Sequence, residues 1–183
     1  SGGNKIVATE GVNPNETDMR GQLAKINQAK PQALVVIMNS AVTVNTFVKQ
    51  TKELGVKLPV FGNEYFAFTD VVENPNAQGM YAAQYKYDPT APSYLAVLEE
   101  YKKAFGKAPT QDIYAALPFD GYNVLANAIE TCKGDDPECI KQALYDTKNY
   151  RGITGVVTID ANGDTEREFI LRKVEGGKLV DVK

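Results

Sequence analysis

The stretch from Ala33 to Asn63 constrains the fold more than any other part of the chain, because it reads as one complete strand-helix-strand unit with short connections. Ala33-Leu34-Val35-Val36-Ile37-Met38 is a continuous apolar run, the pattern of a strand covered on both faces. Beyond Asn39-Ser40, the apolar residues Val44, Phe47, Val48 and Leu54 recur at helical spacing. Gly55 stands where a left-handed cap ends such a helix, and Pro59-Val60-Phe61 opens the next strand. Upstream, Lys5-Ile6-Val7-Ala8-Thr9-Glu10 reads as a short strand, followed by a helix that Asn15 caps, that turns Met19, Leu23 and Ile26 inward and that Pro31 ends. The alternation predicts an α/β fold with a parallel sheet and flanking helices, in which ligands bind at the carboxyl ends of the strands.

Downstream the pattern loosens. A strand from Met80 to Tyr85 leads through the Pro-rich Asp88–Pro92 into a helix carrying Tyr94, Leu98, Tyr101 and Phe105, closed by Gly106. A long helix over about Asp112 to Thr131 is expected to point Leu117, Leu125 and Ile129 inward, with a kink or late start at Pro118 and Gly121. A shorter helix spans Pro137 to Asp146. Ile153–Ile159 then alternates, Asp160-Ala161-Asn162-Gly163 turns, and Glu168–Val174 completes a predicted terminal β-hairpin.

Several chemistries are excluded by what these residues lack. The chain has no His, so it holds no Ser-His-Asp or Cys-His arrangement, and neither a Gly-x-Gly-x-x-Gly nor a phosphate loop occurs. The reading is therefore not an enzyme, with no cofactor and no metal site. The 23 acidic residues give paired-carboxylate chemistry no specificity, since most such groups are solvated helix faces. Asp160-x-Asn162-x-Asp164 begins like a calcium loop, but Thr165 replaces the turn glycine and Leu171 the bidentate glutamate, so a polar turn is the better reading. Asn15-Glu16-Thr17 fits a glycosylation sequon and a helix cap equally well. With 20 basic residues, a net charge of -3 and no basic run, nucleic acid is not an expected partner. The longest apolar run falls far short of the roughly 20 residues that cross a bilayer. Ser1–Lys5 carries no targeting stretch, so any signal segment is expected outside this sequence.

Cys132 and Cys139 flank Lys133-Gly134-Asp135-Asp136-Pro137-Glu138, a helix end, a turn and a helix start. The turn allows a disulfide, which in the chain-entropy picture stabilises by about 2.5 kcal/mol for a loop of this size. Two unpaired, half-buried thiols are the alternative. One polar constellation stands out at two successive strand ends: Asn39, Ser40 and Thr43 after the first, Asn63, Glu64 and Tyr65 after Phe61-Gly62. Adjacent parallel strands set these ends side by side. A carboxylate, a hydroxyl and an aromatic ring there supply what an amino acid needs, namely a charge partner for its ammonium, a hydrogen-bond acceptor and an apolar wall. The competing reading is that Asn63 and Glu64 merely cap the next short helix.

Five segments in order resemble the second half of the type I solute-binding proteins of branched-chain amino acid ABC transporters. They are Lys5–Glu10 with the Asp18-Met19 helix start, Leu58–Glu64, Gln78-Gly79-Met80, Phe119-Asp120-Gly121-Tyr122 and Ile153–Asp164, and the resemblance covers about residues 4 to 180. It implies a periplasmic-binding-protein-like fold that is incomplete relative to the family's two lobes. Residues 1–80 are then part of the second lobe, 81–150 the carboxy-terminal part of the first, and 151–183 a hairpin returning to the second. It also implies a solute-binding role, with an amino acid, branched-chain or similar, or a related small polar ligand taken between two lobes and passed to a membrane permease. The alternative is a ligand-sensing or regulatory domain of the same fold without a transporter. The family's acidic contact for the ligand ammonium matches Glu64, its second-lobe contact matches Asn39, Ser40 or Ala41, and the helix around Ala116 to Asp120 forms part of the first lobe's wall. Pro118 departs from the family's helix pattern, and nothing here corresponds to the residues that hold the ligand carboxylate. The resemblance implies a periplasmic or extracellular location, free or as an anchored lipoprotein, in which a Cys132–Cys139 disulfide is expected. The missing first strand of the second lobe leads us to expect a homodimer for the chain as given, through open strand edges.

Overall fold

The structure, a computed structural model, describes residues 3–109 and 111–182. In chain order the elements are α1 (Arg20–Gln28), β1 (Leu34–Val36), α2 (Ala41–Glu53), β2 (Val60–Gly62), α3 (Thr69–Val72), β3 (Tyr81–Tyr85), α4 (Pro92–Phe105), α5 (Asp112–Cys132), α6 (Pro137–Tyr145), β4 (Tyr150–Gly152), β5 (Gly155–Ile159), β6 (Thr165–Glu166), β7 (Phe169–Glu175) and β8 (Lys178–Asp181). Short 3-10 turns at Glu64–Ala67 and Pro75–Ala77 bracket α3. The chain forms two compact units, Ser1–Gln84 with Ile170–Lys183, and Tyr85–Phe169.

The first unit is a mixed five-stranded sheet in the order β1-β2-β3-β7-β8. β1 and β2 run parallel with Leu34 opposite Val60 and Val36 opposite Gly62, and β2 and β3 run parallel with Phe61 opposite Tyr81. Leu34, Met38, Val60, Ala82 and Val174 share one buried cluster with Met19 and Leu23 of the α1 region, Val44, Phe47 and Val48 of α2, and Val71 and Val72 of α3. The apolar run of β1 is thus covered on one face and not on both: Val35 and Ile37, which point the other way, are each 80% exposed. A run of apolar residues records that a strand is apolar, whereas coverage depends on which helices pack against it.

Two expectations fail at the start of this unit. Lys5–Glu10 is not a strand among the described residues, and Ile6 is 82% exposed, because β-propensity without a neighbouring strand leaves the ladder unmade. Asn15 is not the cap of α1 either; it adopts a left-handed conformation (φ 64°) in the turn before it. The helix begins later, and its capping is tertiary: the Met19 N–H donates to Gln50 Oε1 at 2.6 Å, while Gln50 Nε2 donates to the Thr17 carbonyl at 2.8 Å. Burying an amide in the middle of α2 satisfies a helix end 31 residues away.

The second unit packs Tyr94 of α4 against Ile113 and Ala116 of α5, with Leu98, Leu117 and Ile153 around them. α4 ends as predicted at Gly106, which is left-handed. α5 begins at Asp112 and continues through Pro118, so the late start does not appear. It buries Ile113, Ala116, Asp120, Val124 and Ala128, whereas Leu125 and Ile129 face outward. Leu117 packs against the cluster as expected, and beyond it the buried stripe runs through Asp120, Val124 and Ala128. The terminal hairpin is also replaced. β5 pairs antiparallel with β4 across the two-residue connection Ile153-Thr154 and with β6 across the Asp160–Asp164 turn, while β7 pairs with β8 in the other unit's sheet. Residues 151–169 consequently group with 85–150, apart from the last strands. Short alternating segments carry no label for their partner, and two strands adjacent in sequence need not pair.

Candidate functional site

Parallel pairing of β1 and β2 sets their carboxyl ends next to one another, and each end is held by its own hydrogen bonds. Beyond β1, Asn39 is exposed and Ser40 caps α2: its Oγ accepts from the Thr43 N–H at 3.2 Å and shares a 2.7 Å hydrogen bond with Thr43 Oγ1. Serine suits this place because its short side chain reaches back to an otherwise unpaired helix N–H. Ala41 starts the helix and packs against the unit's core.

Beyond β2 the chain is pinned twice. The Asn63 N–H donates to the Val36 carbonyl at 3.2 Å, its Oδ1 accepts from the Met38 N–H at 3.3 Å, and its Nδ2 donates to the Met38 carbonyl at 2.8 Å. Three residues on, Phe66 is fully buried with its ring edge-on to Phe47, centroids 6.1 Å apart. Phe66 lies over Gly62 so closely that a Cβ there would stand 2.1 Å from the ring, so only glycine fits. Between these two anchors lie Glu64 and Tyr65. Glu64 opens the 3-10 turn, half-buried, and makes no ion pair or hydrogen bond among the described residues. Tyr65 stacks at a tilt on Phe68, ring centroids 4.9 Å apart. The arrangement offers a carboxylate, a hydroxyl and an aromatic face on one edge of one unit.

The other predicted positions lie in the second unit. Ala116 is completely buried against Tyr94 and Ile113, so its methyl group is part of the core and presents no surface to a ligand. Cys132 and Cys139 are joined, with Cα atoms 5.9 Å apart, across the corner where α5 ends in the left-handed Lys133 and Asp136 caps α6. No group of three or more acidic or Cys side chains suited to a metal ion occurs among the described residues. The Asp160 carboxylate instead accepts from the Asn162 and Asp164 N–H groups at 2.8 and 2.9 Å, which holds it below the usual carboxylate range. Among the described residues no helix is long and apolar enough to cross a membrane.

One polar cluster was not legible beforehand. The buried Asp120 carboxylate accepts from the Ile153 and Thr154 N–H groups at 2.8 Å each and from the Thr154 hydroxyl. The same hydroxyl oxygen accepts from Arg167 Nη1 at 2.8 Å, and the guanidinium sits 5.7 Å from the centroid of the Tyr85 ring. Tyr85, Thr154 and Arg167 border an open depression of about 720 Å³ within Tyr85–Glu168. The expected inward stripe of Leu117, Leu125 and Ile129 gave no sign of an inward Asp120, and nothing in the sequence linked it to Thr154.

Comparison with known proteins bears on the whole chain. A sequence model of the family described as periplasmic binding protein matches residues 1–178. Among solved structures, a leucine-binding protein LivK from Thermotoga maritima superposes with a TM-score of 0.75 at 23% identity, over 92% of this chain and 49% of its own. The substrate-binding protein LivJ from Streptococcus pneumoniae, solved in complex with isoleucine, gives 0.66 at 23% identity over 92% and 50%. An R. palustris solute-binding protein of an ABC transporter, in complex with benzoate, gives 0.69 at 20% over 92% and 47%. No curated protein matches the chain significantly. The chain spans about half the length of these solved structures, and its type I fold is correspondingly incomplete. With a family match that runs through nearly every element described above, the chain belongs to the periplasmic binding protein family.

Proposed function

We propose that this chain is part of the solute-binding component of an ABC importer, which takes an amino acid, branched-chain or similar, or a related small polar ligand and delivers it to a membrane permease outside the cytoplasm. Membership of the family supports a small-molecule ligand. The observation that carries the finer reading is Glu64: a half-buried carboxylate with no cation among the described residues, beside the Ser40 hydroxyl's strand end and the Tyr65–Phe68 ring pair. A carboxylate so placed is an open partner for an ammonium group. Two of the solved relatives are described with leucine or isoleucine, and a third with benzoate, which has no ammonium. Glu64 is the feature here that favours the amino acid. In this reading the unit Ser1–Gln84 with Ile170–Lys183 is part of the second lobe, and Tyr85–Phe169 is the carboxy-terminal part of the first.

The test is calorimetry on the complete two-lobed protein. Glu64→Ala is expected to weaken binding of L-leucine or the best-bound α-amino acid by at least roughly tenfold, about 1.4 kcal/mol. Unchanged affinity returns Glu64 to the role of a helix-start residue.

A further inference from the structure

We propose that Asn63 is a positioning residue for this site, which holds Ser40 and Glu64 in register and makes no contact of its own with the ligand. The inference rests on the reading of Ser40 and Glu64 given above. Its basis is the way the side-chain amide is used. The last backbone pair of the β1–β2 ladder is Val36 with Gly62, and the Asn63 N–H to Val36 carbonyl bond follows directly from it. There the backbone ladder stops. The Asn63 amide then continues it as a side chain, taking the Met38 N–H on Oδ1 at 3.3 Å and giving Nδ2–H to the Met38 carbonyl at 2.8 Å. A primary amide carries a donor and an acceptor on one planar group, in the same arrangement as a peptide, so it can copy a peptide's pairing.

The consequence is positional. Met38 lies two residues before Ser40, and Asn63 lies one residue before Glu64. A clamp between Met38 and Asn63 therefore fixes the separation of the hydroxyl on one strand end from the carboxylate on the other. Both polar ends of the amide are committed to Met38, and the side chain is half-buried, so it is poorly placed to serve a ligand as well. Phe66 pins the far side of the same loop by packing on Phe47 of α2 and over Gly62.

The experiment uses the complete two-lobed protein, L-leucine as probe, and the variants Asn63→Ala, Asn63→Asp and Glu64→Ala with their double combinations. Asn63→Asp keeps the acceptor for the Met38 N–H and sets an oxygen against the Met38 carbonyl, so it tests the clamp in a variant of nearly the same shape. Either Asn63 variant is expected to weaken leucine binding about tenfold in folded protein, and to cost no more than about twofold once Glu64 is already alanine, the signature of residues that act as one unit. For 4-methylpentanoate, which lacks the ammonium, the Asn63 variants are expected to match the wild type. Hydrogen exchange at the Met38 amide is expected to quicken in Asn63→Ala, a readout independent of any ligand. Additive losses in the double variants would mean that Asn63 touches the ligand itself, and unchanged Met38 exchange would mean that there is no clamp; either overturns the proposal. A wild-type protein that binds no α-amino acid fails earlier, before any variant is compared, and removes the functional reading together with the inference built on it.

Discussion

The two units use the same kinds of residue to opposite effect. In the sheet unit, helices α1 to α3 gather a continuous core of fourteen buried residues on one face of the strands. In the Tyr85–Phe169 unit the corresponding cluster is Tyr94, Ile113 and Ala116, and long apolar side chains of α5 such as Tyr122, Leu125 and Ile129 face outward. What fixes the second unit is a different set of devices: the buried Asp120 carboxylate gripping the Ile153-Thr154 connection, and the disulfide at the α5–α6 corner. A unit with a broad core is held by packing, and one with a narrow core by specific bonds.

That contrast is open to direct attack. The largest effect is expected from Phe66→Ala, which removes a fully buried ring from the broad core and should cost about 3 to 5 kcal/mol in denaturant unfolding of the sheet unit. A loss below about 1 kcal/mol would show that the core collapses freely and that packing does not carry this unit. Next, Cys132→Ser with Cys139→Ser should lower the stability of the helical unit by about 2.5 kcal/mol. Hydrogen exchange should place the loss in α5 and α6 and leave β1 to β3 untouched. Two alkylated thiols in protein prepared under oxidising conditions would remove the disulfide from the comparison altogether.

The smallest effect concerns pH. The Asp160 carboxyl is held below its ordinary value by backbone N–H donors from Asp164 and Asn162. A lowered folded-state pKa means that its contribution is present above the unfolded value of about 4 and fades as the pH falls through the folded one. Since the group lies at the surface in a turn, solvent screens it, and Asp160→Asn should flatten the acid limb of the melting-temperature profile only slightly. A steep change would mark the β5–β6 turn as a stabilising device of the second unit in its own right.

Sequence reading succeeded where a local rule decides the outcome. Gly55 and Gly106 end helices because each is left-handed there, whereas the capping of α2 by Ser40 went unread because the residue was taken only as a ligand contact. It failed where the answer belongs to a distant residue. Asn15 had the composition of a cap, but Gln50 supplies the hydrogen bonds at α1. Ile153–Ile159 had the alternation of a strand, but its partners turned out to be Tyr150–Gly152 and Thr165–Glu166. At the candidate site the polar residues themselves were legible from their place after two apolar strands. Their division of labour was not, because an Asn that serves a neighbouring backbone and one that serves a ligand look alike until its two ends are traced to Met38.

The loop from Gly62 to Phe66 separates frame from chemistry. Gly62 and Phe66 exclude one another's alternatives, since any side chain at 62 runs into the ring, and Asn63 is tied to the neighbouring strand. Glu64, set between them, carries no such obligation to the core's shape, while Tyr65 leans on the core's margin beside Phe68. Mutation can therefore exchange the charge at 64, and in the proposed reading the ligand preference with it, while the backbone that presents it stays where it is. A loop built in this way lets one scaffold change the group it presents without having to fold anew.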